Sequence, residues 1–127
     1  MATKQRILAV DDDPGVRAML QECLGRRYDV STLDMADDID EAVSDFEPDL
    51  IILDVMMPGP DGISVCRQLR ARASSRDIPI LFLTALHDDE EYIKGLSAGC
   101  DSWITKPFSP ADLTTRIEFL LKPRSAS

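Results

Sequence analysis

Short, mainly apolar stretches recur along the chain at 6–10 (RILAV), 50–55 (LIILDV) and 78–83 (IPILFL), with a weakly alternating one at 28–33 (YDVSTL) and a shorter strand-like one at 101–105 (DSWIT). Between them the apolar residues change to helical spacing. Val16, Met19, Leu20, Cys23 and Leu24 form one stripe, and Ile39, Ala42, Val43 and Phe46 a second. Val65, Cys66, Leu69 and Ala73 form a third, Tyr92, Ile93 and Leu96 a thin fourth, and Leu113, Ile117, Leu120 and Leu121 a fifth. Period-two or continuous apolar runs read as strands and 3.6-period stripes as helices, so the pattern predicts βα repeated five times.

Local signals sharpen the boundaries. Asp13 before Pro14 predicts an N-cap and first helical residue, and Gly25 marks that helix's stop. Pro48 ends the second helix. Ser109-Pro110-Ala111-Asp112 is a capping-box-like start for the last one. The helix expected over 88–98 has few apolar residues and contains Gly95, which makes it the least anchored. Strands alternating with helices imply an α/β fold, a doubly wound parallel sheet with five helices on its two faces, because right-handed crossovers place them there. The 127 residues predict a single domain over 1–122, with 123–127 a tail or the start of a linker.

The formal charge is −9, from 23 acidic and 14 basic residues, which argues against nucleic acid or an anionic membrane as direct partner. Three cysteines (Cys23, Cys66, Cys100) are an odd number with no C-x-x-C spacing. They predict free thiols in a reducing compartment rather than disulfides or zinc. The N-terminus does not have the form of a signal peptide and no apolar run has transmembrane length, so a cytoplasmic location is expected.

The stretch DLIILDVMMPGPDG (49–62) carries the chemistry. Its one internal carboxylate, Asp54, is costly to bury unpaired and therefore belongs at the strand's end, facing a cleft. In open α/β sheets ligands bind beyond the carboxyl ends of the strands. Those ends carry Asp11 and Asp12 after the first strand, Asp54 after the third, Thr84 after the fourth and Lys106 after the fifth. Carboxylates brought together repel and call for a cation, and hard oxygen ligands suit Mg²⁺, with Mn²⁺ as a substitute. A metal, a carboxylate nucleophile, a hydroxyl and a lysine are the parts that move a phosphoryl group.

Four segments, ILAVDDDP, LIILDVMMPGPDG, FLTA and GCDSWITKPF, closely resemble the receiver domain of two-component response regulators, in order and in spacing from about Arg6 to Leu121. The resemblance implies the flavodoxin-like strand order 2-1-3-4-5. It implies a switch rather than a turnover enzyme, in which Asp54 accepts a phosphoryl group from a histidine kinase or phosphotransfer protein. Asp11, Asp12 and Asp54 would hold Mg²⁺ with the backbone carbonyl of Met56, and Thr84 and Lys106 would contact the phosphoryl group. It implies a cis Lys106-Pro107 peptide, Trp103 at the family's usual Tyr or Phe switch position beside Thr84, and a partner face built from the fourth helix, fifth strand and fifth helix. An output domain or a homodimer would use that face.

Some residues keep plainer readings. Asp13 is expected to cap its helix rather than join the acidic pair, and His87 to be an exposed loop residue. Met56 and Leu86, each two residues beyond a site residue, should overhang the site. Polar groups at those positions help place the hydrolytic water in the family, so apolar ones predict a slowly hydrolysed aspartyl phosphate. Two other functions fit parts of the pattern. Asp11-Asp12-Asp13 also matches the D-x-D nucleophile of haloacid-dehalogenase-like phosphatases, and an interaction module independent of phosphorylation is the third reading.

Overall fold

The computed structural model describes residues 4–55, 61–85 and 98–122. Five strands, β1 (Arg6–Val10), β2 (Asp29–Leu33), β3 (Leu50–Asp54), β4 (Ile80–Thr84) and β5 (Ser102–Thr105), form one parallel sheet in the order β2-β1-β3-β4-β5. Four helices are found among the described residues: α1 (Pro14–Leu24), α2 (Ile39–Phe46), α3 (Gly62–Arg70) and α4 (Pro110–Leu121). The expected fourth helix over 88–98 lies almost wholly outside the described residues, as do Met56, Leu86, His87 and the Pro58–Pro60 turn.

The inner strands β1, β3 and β4 are apolar without alternation because both faces of the sheet are covered. Ile7, Ala9, Leu50, Ile52, Leu81, Leu83 and Ile104 pack with Leu20 and Leu24 of α1 and Leu113 and Ile117 of α4. Their strand neighbours Leu8, Val10, Ile51, Leu53, Ile80 and Phe82 turn to the other face, against Ile39 and Val43 of α2 and Val65, Cys66 and Leu69 of α3. Every residue of β3 and β4 is buried. Burying each such Leu or Ile side chain contributes about 2 kcal/mol, which fixes the strands in depth and register.

Helix starts follow the predicted signals. The Asp13 side chain accepts from Gly15 N, and the Ser109 side chain accepts from Asp112 N. Asp61 caps α3 in the same way, accepting from Ser64 N at 2.8 Å. One expectation fails: Ala73 does not face inward. The helix ends at Arg70 and Ala73 is exposed. The chain leaves the helix because Ser75, buried, donates its hydroxyl to Leu69 O at 2.6 Å, and Arg70 holds the following turn by its carbonyls.

Candidate functional site

Each strand that ends at the carboxyl edge delivers its terminal side chain by register. Asp54 closes β3 opposite Leu83, so Thr84 lies one residue beyond it on β4. Thr84 pairs with Thr105 on β5, and Lys106 N donates to Thr84 O at 2.7 Å, carrying Lys106 to the same edge. On the other side, Asp11 N donates to Leu33 O at 3.1 Å, extending β1 by one residue so that Asp11 and Asp12 leave the sheet next to β3.

The outcome is a compact acidic cluster. One carboxylate oxygen from each of Asp11, Asp12 and Asp54 lies within 4.8 Å of the others. Asp11 is completely buried and Asp54 is 4% exposed, whereas Asp12 is exposed to solvent. Lys106 Nζ lies between the two buried acids, 2.9 Å from Asp11 Oδ2 and 3.5 Å from Asp54 Oδ2. Burial alone would lower the lysine's pKa, but the Asp11 hydrogen bond and the charges of Asp54 and Asp11 outweigh it and hold the ammonium above its usual range. Among the described residues, Lys106 is the cation that pairs with these carboxylates. The remaining negative charge and the oxygen donors fit a hard divalent cation such as Mg²⁺, to which Asp11, Asp12 and Asp54 would each offer an oxygen.

The β1–α1 loop that carries the acidic pair is tightly tied. Asp13 N donates to Asp11 Oδ1 at 2.9 Å, and Arg17 Nη1 on α1 donates to the backbone carbonyl of Asp11 at 2.8 Å. Asp13 itself is engaged as the α1 cap. That removes the second acid of a D-x-D nucleophile motif from the site. Thr84 is buried at the edge, and the Lys106-Pro107 peptide is cis. Trp103, half-buried opposite Phe82, packs against the core on the α2–α3 side.

The sequence reading overlooked Gly62. A Cβ there would lie 2.4 Å from the Asp54 carbonyl oxygen and 2.9 Å from Val55 Cα, and Gly62 N donates to Val55 O at 3.0 Å. The start of α3 thus presses directly on the backbone of the central acid, and only hydrogen fits between them. The signal was present as a glycine placed one residue after the helix cap.

Comparison with known proteins places these features in a family context. A model of the response regulator receiver domain matches residues 7–118. The DNA-binding response regulator MtrA of Mycolicibacterium smegmatis is 41% identical over 120 residues, 94% of this chain and 51% of MtrA. The probable transcriptional regulator ycf27 of Cyanophora paradoxa is 45% identical over 123 residues, 94% of this chain and 49% of ycf27. The chain spans about half the length of these curated relatives. Among solved structures, the BeF3-activated N-terminal receiver domain of Klebsiella pneumoniae RstA superposes with a TM-score of 0.86 at 35% identity, covering 93% of this chain and 99% of that one.

Proposed function

The chain belongs to the response regulator receiver domain family, and from that premise we propose that Asp54 is its phospho-acceptor. The observation that carries the assignment is the placement of Asp54: buried at the end of β3, grouped with the oxygens of Asp11 and Asp12, and 3.5 Å from an ammonium. A carboxylate oxygen of Asp54 attacks the phosphorus of a phosphohistidine, the P–N bond breaks, and the imidazole leaves with its electron pair and takes up a proton. Lys106 and the Thr84 hydroxyl are suited to hold the phosphoryl oxygens, and Asp11 and Asp12 would hold the metal. Bound Mg²⁺ supplies positive charge to those oxygens. Met56 would offer its backbone carbonyl to the same ion.

The donor is a histidine kinase or phosphotransfer protein, and the reaction is a self-modification rather than turnover of a substrate pool. The output is read on the face carrying β5 and α4, where Phe119, 77% exposed, offers an apolar anchor for an output domain or a second receiver. Trp103 on β5 is the reporter of the change. The names of MtrA and ycf27 favour a transcriptional output. Because Met56 and Leu86 are apolar, the aspartyl phosphate is long-lived. Met56→Asn with Leu86→Glu shortens it, and rapid decay in the unmutated protein overturns that part.

The central test is incubation with a small-molecule phosphodonor and Mg²⁺, followed by intact mass. One phosphate adds to the unmutated protein and none to Asp54→Asn. No addition to the unmutated protein defeats the proposal.

A further inference from the structure

The three acids of the cluster are not held alike. Asp11 is completely buried and bonded through both carboxylate oxygens, and Asp54 is embedded at the end of a fully buried strand. Asp12 is exposed, and among the described residues no side-chain hydrogen bond fixes it. Its carboxylate nevertheless lies within reach of the other two. What places it must therefore be its backbone.

Two peptide planes flank Asp12 Cα. The plane after it contains the Asp13 N–H, which donates to Asp11 Oδ1 at 2.9 Å. The plane before it contains the Asp11 carbonyl, which accepts from Arg17 Nη1 at 2.8 Å. With both planes tied, φ and ψ of Asp12 have little freedom, because the backbone has only these two soft torsions per residue. Arg17 lies one turn into α1, and helical side chains lean back toward the N-terminus, which lets its guanidinium reach the loop. Among the described residues Arg17 forms no ion pair, so its contact with the acidic loop is through the carbonyl rather than a carboxylate.

We infer that Arg17 is a positioning residue for metal binding: its hydrogen bond to the Asp11 carbonyl orients the exposed ligand Asp12. The inference rests on the metal reading given above and adds to it a residue outside the ligand set. It opposes a simple electrostatic expectation, since a cation beside an acidic site should weaken Mg²⁺ binding. The sign of the effect therefore discriminates.

The experiment is calorimetric titration of metal-free protein with MgCl₂, for the unmutated chain, Arg17→Met, Arg17→Lys and Asp12→Ala, and for Asp12→Ala combined with Arg17→Met. Loss of an outer partner that orients a ligand weakens metal affinity about tenfold. The Mg²⁺ dissociation constant should rise by that factor in Arg17→Met and by less in Arg17→Lys, which keeps a donor. In the Asp12→Ala background, Arg17→Met should add nothing further, the non-additivity expected when one residue acts through another. Thermal melts without metal identify any variant that fails to fold, in which case Arg17→Lys carries the comparison. An unchanged or tighter constant in folded Arg17 variants overturns the inference, as does full additivity with Asp12→Ala. Failure of the unmutated protein to bind Mg²⁺ instead overturns the metal reading.

Discussion

The two ends of the sheet carry cations of opposite standing. At the amino edge, Arg70 at the end of α3 donates Nε to Gly99 O at 2.9 Å and Nη1 to Arg76 O at 2.9 Å and Ile78 O at 2.6 Å. Its Nη2 meets Asp101 Oδ2 at 2.6 Å, and that same oxygen accepts from Ile80 N at 2.8 Å. Gly99, at φ +96°, lies under the Arg70 stem, where a Cβ would come within 3.1 Å of Cγ. One guanidinium thus closes α3, the turn after it and the entries to β4 and β5 into one hub. At the carboxyl edge, among the described residues, one ammonium, Lys106, forms the ion pairs of a cluster that holds three carboxylates. A closed hydrogen-bond network stabilises; an open charge imbalance is a place where a ligand can bind.

That contrast can be broken by experiment. The largest effect is expected from Lys106→Met, which leaves the fully buried Asp11 without its cation. Metal-free protein should lose about 3 kcal/mol in urea unfolding, and Mg²⁺ should restore most of it. Persistence of the deficit at saturating Mg²⁺ would show that the carboxyl edge is as structural as the other. Next, Gly62→Ala forces a methyl against the Asp54 carbonyl and should cost about 2–3 kcal/mol by the same measurement, with slower phosphorylation of Asp54. Arg70→Ala removes the hub's donors and should cost about 2 kcal/mol, with no recovery on adding Mg²⁺ and an unchanged Mg²⁺ affinity. An altered affinity would mean that the two ends are coupled.

Smaller effects refine the picture. Burial pushes the thiols of Cys66 and Cys100, on the α3 side near the hub, up to about 11 from 9.0. The unfolded chain therefore releases these protons before the folded one does. Their contribution to stability is complete below about pH 9 and is lost as pH rises through about 11. Urea unfolding at stepped pH should show that decline flattened in a Cys66→Ala, Cys100→Ala double variant. Smallest of all, Asp12→Asn removes one like charge from the cluster. Its melting temperature without metal should rise by a few degrees while the stabilisation by Mg²⁺ disappears, and a fall would contradict the imbalance.

Much of this was legible in the chain. Apolar runs separated by 3.6-period stripes define a βα alternation, and the residue that follows each run can be read without knowing the fold. Asp13 before Pro14 and Ser109 before Pro110 mark caps that the structure contains. Ala73 misled because apolar spacing continues after the helix has ended, and only Ser75 and Arg70, bonding backward and across the turn, reveal the stop. Arg17 and Gly62 escaped because nothing in the residues around them shows what they touch. The first bonds the backbone of Asp11. The second presses on Asp54, eight positions earlier in the chain.

The amino-acid sequence alone determined the elements, their order and which side chains end each strand, because these follow from local periodicity and turn chemistry. Tertiary structure decided which of those ends meet and what holds them. Register put Asp54 beside Leu83 and Thr84 opposite Thr105, and folding brought Lys106 against Asp11 across 95 residues. Such contacts arise only when the whole sheet is assembled, since no local preference encodes the distance between two strand ends. The same assembly tied one edge together through Arg70 and, among the described residues, gathered three carboxylates around Lys106 at the other.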